Sequence, residues 1–180
     1  MNKYDISEVN ELQKVYVQLR PDGAIFSDDA IKFPRDAVCA VANVIRDMDR
    51  EMLYAINLRA DNTPINVIVA AIGDESGSLC SPTALIRAAI LSNATSVMLV
   101  HNHPSGDLRP SKADVQFADK MIQICRLHDM DFLDSIIIAY GKECYYSLRE
   151  KEKCNFYRDG NEYVEKVEDL NFPRRGVRVK

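Results

Sequence analysis

The chain has 180 residues, 47% of them hydrophobic, with 27 acidic against 23 basic side chains and a formal charge of −4. That is enough apolar material for one good core, so one domain with extensions is expected. The acidic balance argues against strong non-specific nucleic-acid binding, which is driven by neutralising phosphates.

In chain order, residues 14–19 (Lys-Val-Tyr-Val-Gln-Leu) read as a strand, followed by a Pro21-Asp22-Gly23 turn and a short strand over Ala24 to Phe26. Pro34 opens a helix in which Val38, Val41, Ile45 and Met48 recur at helical spacing. Glu51 to Ala60 and Pro64 to Ile72 read as an antiparallel pair joined around Asp61-Asn62-Thr63. Ser81 with Pro82 caps a second helix, which runs to about Asn93. Val97 to His101 is a buried central strand, and a long helix extends from Ser111 to about His128. Phe132 to Ala139 is another near-continuous apolar strand, and Cys144 to Ser147 is placed to close the sheet. The expected class is α/β, a layered architecture with helices on the faces of a mixed sheet. Residues 1–46 form an N-terminal strand and helix extension packed on the core, residues 47–148 the central domain, and residues 149–180 a charged extension. The tail Arg174 to Lys180 is expected to be mobile.

The chemistry concentrates at His101-Asn102-His103-Pro104-Ser105-Gly106. Two of the chain's three histidines stand one residue apart at the end of an apolar run. On a strand, side chains at i and i+2 share a face, so His101 and His103 can converge on one ion. Pro104 and Gly106 break the strand and turn the chain back. Seven residues separate His103 from Ser111, and Asp114 follows in the first turn of the helix that Ser111 caps. Two imidazoles and a carboxylate suit zinc and leave a fourth position open. Ser111 and Asp114 also fit a capping box, and the two readings are compatible, because a capped turn is a rigid place to hold a ligand. A base for a metal-activated water should be a nearby carboxylate that is not itself a ligand. Glu51, at the start of a strand, is one candidate, and spacing alone does not select it. His128 fits a helix C-terminal histidine facing the dipole. Asp107 and Arg109, on the turn between ligands, are open to two readings, solvated turn residues or substrate contacts.

His101-x-His103-Pro104-Ser105-Gly106, with Pro110-Ser111 and Asp114 behind it, resembles the JAMM (MPN+) metalloprotease motif and, more closely, the RadC-like JAB domain. The likeness covers residues 49–148, about 100 in all. It takes in Glu51 to Leu58, Ser81-Pro82 with its helix, the motif, and Phe132-Leu133-Asp134 with Ile136-Ile137-Ile138. The resemblance implies a JAB/MPN-like fold of cytidine deaminase-like architecture and one zinc per chain held by His101, His103 and Asp114. It also implies catalysis by Glu51, as the general base that polarises the zinc water, and by Ser111, which stabilises the tetrahedral intermediate. The activity implied is hydrolysis of a peptide or isopeptide bond in a peptide or protein substrate. The other reading is a non-catalytic or DNA-repair or mobile-element accessory protein that uses the RadC-like scaffold for binding. Three departures stand out. The family's usual Asp-His after the motif helix is Asp134-Ser135 here, and residues 1–50 show no glycine-centred helix-hairpin-helix. At the end of the motif helix, Asp129 stands where a glycine is common, and Asp tolerates the left-handed conformation needed there.

Cys39, Cys80, Cys125, Cys144 and Cys154 are odd in number and form no C-x-x-C pair. Free thiols in a reducing compartment are expected. No apolar leader and no membrane-length stretch is present, so the expected address is cytoplasmic.

Overall fold

The computed structural model describes residues 18–20, 23, 29–45, 48–72, 80–139 and 144–154. Among the described residues, three helices, α1 (Pro34–Ile45), α2 (Pro82–Leu91) and α3 (Lys112–Leu127), are interspersed with five strands. The strands are β1 (Met52–Leu58), β2 (Pro64–Ile72), β3 (Ser96–His103), β4 (Asp131–Ala139) and β5 (Tyr145–Ser147). They form one mixed sheet in the order β2-β1-β3-β4-β5. Its antiparallel pairs are β1–β2, β1–β3 and β4–β5. The parallel pair β3–β4 is joined through α3, because parallel neighbours need a crossover. The α/β layered class expected from the sequence is the class observed.

Burial explains why β1 and β3 read as near-continuous apolar runs. Both are interior strands covered on two faces. Tyr54, Ile56, Leu58, Met98, Val100, Ile136 and Ile138 point to one side and pack with Val38, Val41 and Ile45 of α1. Ala55, Val97, Leu99 and Ile137 point to the other and meet Leu85, Ile86 and Ala89 of α2 and Ala118, Met121, Ile122 and Cys125 of α3. The same alternation carries His101 and His103 to the α2/α3 face and Asn102 to the α1 face.

The elements start and stop for local reasons, some different from those expected. α1 begins at Pro34 but ends at Ile45, and Met48 packs against the α1-face core from the segment beyond the helix. At α2, the Ser81 side chain makes no capping bond. Pro82 starts that helix through its fixed φ, so the expected serine cap is corrected to a proline start. α3 ends at Leu127 with His128 as its exposed C-cap and Asp129 left-handed at φ 54°, where the Met130 N–H returns to the Cys125 carbonyl at 2.9 Å. β5 pairs with β4 as the edge strand of the sheet. Gln18 and Leu19 belong to no strand, and the rest of the 14–19 expectation, the Ala24 to Phe26 strand and the C-terminal tail lie outside the described residues. No helix among the described residues is long and apolar enough to cross a membrane.

Candidate metal centre

The parallel pairing of β3 with β4 sends the end of β3 to the rim of the sheet, where the histidines emerge. A turn follows at once: the Gly106 N–H bonds the His103 carbonyl at 3.0 Å, with Pro104 and Ser105 at its centre and Gly106 at φ 73°. Such a reversal needs a residue free to take positive φ, which Gly106 supplies. The chain then enters α3 through a full capping box. Ser111 Oγ accepts from the Asp114 N–H at 3.1 Å, and Asp114 Oδ2 accepts from the Ser111 N–H at 2.7 Å. The Ser111 hydroxyl donates to the same Oδ2 at 2.7 Å. These bonds occupy Oδ2 and aim the carboxylate back toward β3.

His101, His103 and Asp114 meet there as a set of ligand atoms all within 4.8 Å of one another. The two Nε2 atoms are 3.2 Å apart. His101 Nε2 lies 3.4 Å from Asp114 Oδ1, and His103 Nε2 lies 3.6 Å from Oδ2. The three side chains are 4%, 15% and 14% exposed, so solvent screens their mutual field poorly. The Asp107 carbonyl faces His103 Nδ1 at 2.7 Å. A carbonyl only accepts, so Nδ1 carries the proton and Nε2 of neutral His103 presents its lone pair to the cluster. Burial opposes the charge on Asp114, yet the facing His101 and His103 imidazoles and the Ser111 hydroxyl hold its carboxyl well below the usual carboxylate range. The Asp114 carboxylate, aided by the Asp107 carbonyl and the Glu51 charge, outweighs burial and raises His103 above the ordinary imidazole value of 6.5. This is a negative, preorganised pocket for a cation.

Glu51 precedes β1, half-buried, and lies outside that ligand cluster. The β1–β3 ladder ends at the Leu53–His101 pair, and Glu51 lies two residues before it. Its charge is felt by His103. His101, His103, Ser111 and Asp114 therefore gather at one rim of the sheet, with Glu51 near enough for its charge to reach His103.

Other expectations resolve differently. Asp107 and Arg109 bind each other: Arg109 Nη2 meets Asp107 Oδ2 at 2.6 Å, and the Arg109 N–H bonds Oδ1 at 3.0 Å. The guanidinium holds the Asp107 carboxyl down at about 2, and the pair staples the loop whose Asp107 carbonyl sets the His103 tautomer. Ser135 pairs with Leu99, two residues before the Ile137–His101 pair, so it sits below the ligand cluster and outside it. Its neighbour Asp134 is fully buried, accepting from the Ser147 hydroxyl at 2.5 Å and from the Ser135 and Arg149 N–H groups at 2.7 and 3.1 Å. Burial pushes that carboxyl up to about 7 against these donors, and its bonds tie β5 and the following turn to β4. All five cysteines are free; burial raises the Cys125 and Cys80 thiols to about 12 and about 11, away from thiolate chemistry. Sequence reasoning missed Asn102 and the Asp107 carbonyl. The first is signalled by an amide buried between two ligands; the second is a backbone atom and carries no signal in residue type.

Comparison with known proteins agrees with the geometry. The RadC-like JAB domain model matches residues 31–153, which adds α1 to the stretch of likeness read from the motifs. A UPF0758 protein of Desulforamulus reducens is 36% identical over 121 residues, covering 67% of this chain and 52% of the relative. Others are a UPF0758 protein of Clostridium acetobutylicum, 32% identical over 126 residues (70% and 54%), and one of Methanosarcina mazei, 31% identical over 121 residues (67% and 52%). The chain spans about half the length of these relatives. With the matched region running from the loop before α1 to the turn after β5, and the histidine-aspartate cluster at its centre, the chain belongs to the RadC-like JAB domain family.

Proposed function

We propose that the chain is a zinc-dependent hydrolase of the JAMM type that cleaves an amide bond, peptide or isopeptide, in a peptide or protein substrate. One observation carries the reading. Ligand atoms placed tetrahedrally at about 2.0–2.1 Å from zinc lie about 3.3 Å apart along each edge. His101 Nε2 lies 3.2 Å from His103 Nε2 and 3.4 Å from Asp114 Oδ1, separations of that size, and all three ligand atoms lie within 4.8 Å of one another. Three protein ligands leave a fourth corner for water or substrate, the pattern of catalytic rather than structural zinc.

Bound there, zinc would polarise a scissile carbonyl and bring the ionisation of water toward neutral pH. The remaining work falls to the chain. Glu51 accepts the proton of the attacking water and returns it to the leaving amine. The Ser111 hydroxyl donates to the carbonyl oxygen as that oxygen gains charge. It can rotate to do so because the Ser111 N–H still holds Asp114 Oδ2. The Asp107 carbonyl keeps His103 in the tautomer that offers Nε2.

Elemental analysis of protein purified without an affinity metal tests the reading. The expected result is about one zinc per chain, the stoichiometry of a single three-ligand site. No zinc, even after reconstitution, would mean that the motif folds as a capped turn alone, and the scaffold would then serve binding.

A pH dependence follows from the raised His103 and the depressed Asp114. In metal-free protein, His103 stabilises the fold fully below its unfolded value of 6.5 and loses that contribution as pH rises through its higher folded value. Asp114 contributes above its unfolded value of 3.8 and loses that contribution as pH falls toward its depressed folded value. Zinc must displace the His103 proton, so its affinity runs the other way. The gain in melting temperature on adding zinc should grow from about pH 6 to about pH 8. A gain independent of pH would remove His103 from the ligand set.

A further inference from the structure

Asn102 stands between the two histidines on β3, but the strand's alternation turns it to the opposite face. There it is fully buried and fully bonded. Its Oδ1 accepts from the Met52 N–H at 2.7 Å, and its Nδ2 donates to the Arg50 carbonyl at 3.0 Å and the Met48 carbonyl at 3.4 Å. The Arg50 carbonyl belongs to the peptide bond entering Glu51, and the Met52 N–H to the one leaving it. One amide therefore grips the backbone on both sides of Glu51.

The sheet does not do this by itself. The β1–β3 ladder begins at Leu53 and the β1–β2 ladder at Met52, so Glu51 lies before both. Asp49 and Arg50 pair with each other at the surface, 3.0 Å apart. Asn102 extends the ladder where backbone pairing has stopped. It needs one acceptor and two donors on one short side chain, which asparagine has and Asp, Ser and Thr lack.

We propose that Asn102 is a positioning residue that fixes Glu51 against His101 and His103, locking the proton acceptor to the ligand-bearing strand. This rests on the reading of Glu51 as that acceptor. Because Asn102 shares β3 with both ligands, the base and the metal move as one body. A catalytic base must hold hydrogen-bond distance to its water, and an error near one ångström costs rate heavily.

The test compares wild type, Glu51→Gln, Asn102→Ala and Asn102→Asp, each metal-free and loaded with cobalt(II). Asn102→Asp keeps the volume and the acceptor for Met52 but turns an oxygen on two carbonyls, so it serves if the alanine variant fails to fold. In metal-free protein, hydrogen exchange at Met52 should quicken about ten-fold in Asn102→Ala, the effect of losing one buried bond, while α3 amides keep their rates. Cobalt content should stay at the wild-type level, because no ligand is touched. The pH midpoint of the cobalt visible spectrum should move in the same direction as in Glu51→Gln. Adding Asn102→Ala to Glu51→Gln should move it no further, a non-additivity that a merely structural role would not produce. Unchanged Met52 exchange in Asn102→Ala, or a wild-type midpoint in the Asn102 variants while Glu51→Gln shifts, overturns the inference and leaves the hydrolase reading standing. A wild-type protein that takes no cobalt, or a Glu51→Gln variant with an unmoved midpoint, overturns both.

Discussion

Glu51→Gln is expected to abolish amide hydrolysis while leaving zinc bound. The substitution conserves shape and removes the one property the proposed mechanism needs, a carboxylate that takes and returns a proton. General-base contributions are typically about 10²–10⁴-fold, so kcat on any peptide amide the wild type cleaves should fall by at least about two orders of magnitude. Zinc per chain should not change, because Glu51 stands outside the ligand cluster. The two measurements separate the roles. Loss of metal in the variant would make Glu51 a ligand, and full activity would pass the base role to another group.

Much of this site was legible in the sequence because each signal had a local cause. His-x-His at the end of an apolar run implies two imidazoles on one face of a strand, and the alternation of β3 delivers them there. Ser111 and Asp114 announced a helix start, and the capping box that forms is also what turns the Asp114 carboxylate toward the histidines. The ambiguity between cap and ligand was therefore no conflict. Glu51 was different: an acid before a strand has many ordinary explanations, and only the RadC-like JAB resemblance selected it. In the structure Glu51 lies two residues before the Leu53–His101 pair and its charge reaches His103, a proximity between non-adjacent stretches of chain. No spacing within one segment encodes that. The strand order β2-β1-β3-β4-β5 was unreadable for the same reason, since pairing partners are chosen by packing on two faces rather than by local pattern. Ser81 is the reverse case: residue type suggested a hydroxyl cap, but Pro82 alone suffices to begin α2. Asn102 escaped notice because a polar residue between two ligands reads as part of the motif, whereas its bonds lie on the other face of the sheet.

Asp114→Ala should remove the metal and, separately, loosen the start of α3. Deleting the carboxylate would take away one of the three proposed ligands and the charge that draws a cation to the two imidazoles, His101 buried and His103 half-buried. Loss of supporting groups around a metal already costs about 10–100-fold in affinity, so loss of a direct ligand should exceed about 100-fold and bring zinc per chain close to zero after dialysis. The same side chain closes the capping box, so stability should fall by about 1 kcal/mol even without metal. Ser111→Ala separates the two effects. It removes the serine side of the cap, costing a similar amount of stability, but keeps the carboxylate, held by the Ser111 N–H at 2.7 Å. Zinc retained in Ser111→Ala and lost in Asp114→Ala, at comparable melting temperatures, assigns Asp114 as a ligand in its own right. Equal zinc affinity in Asp114→Ala and wild type would sink that assignment, because a cap alone has no means to bind a cation.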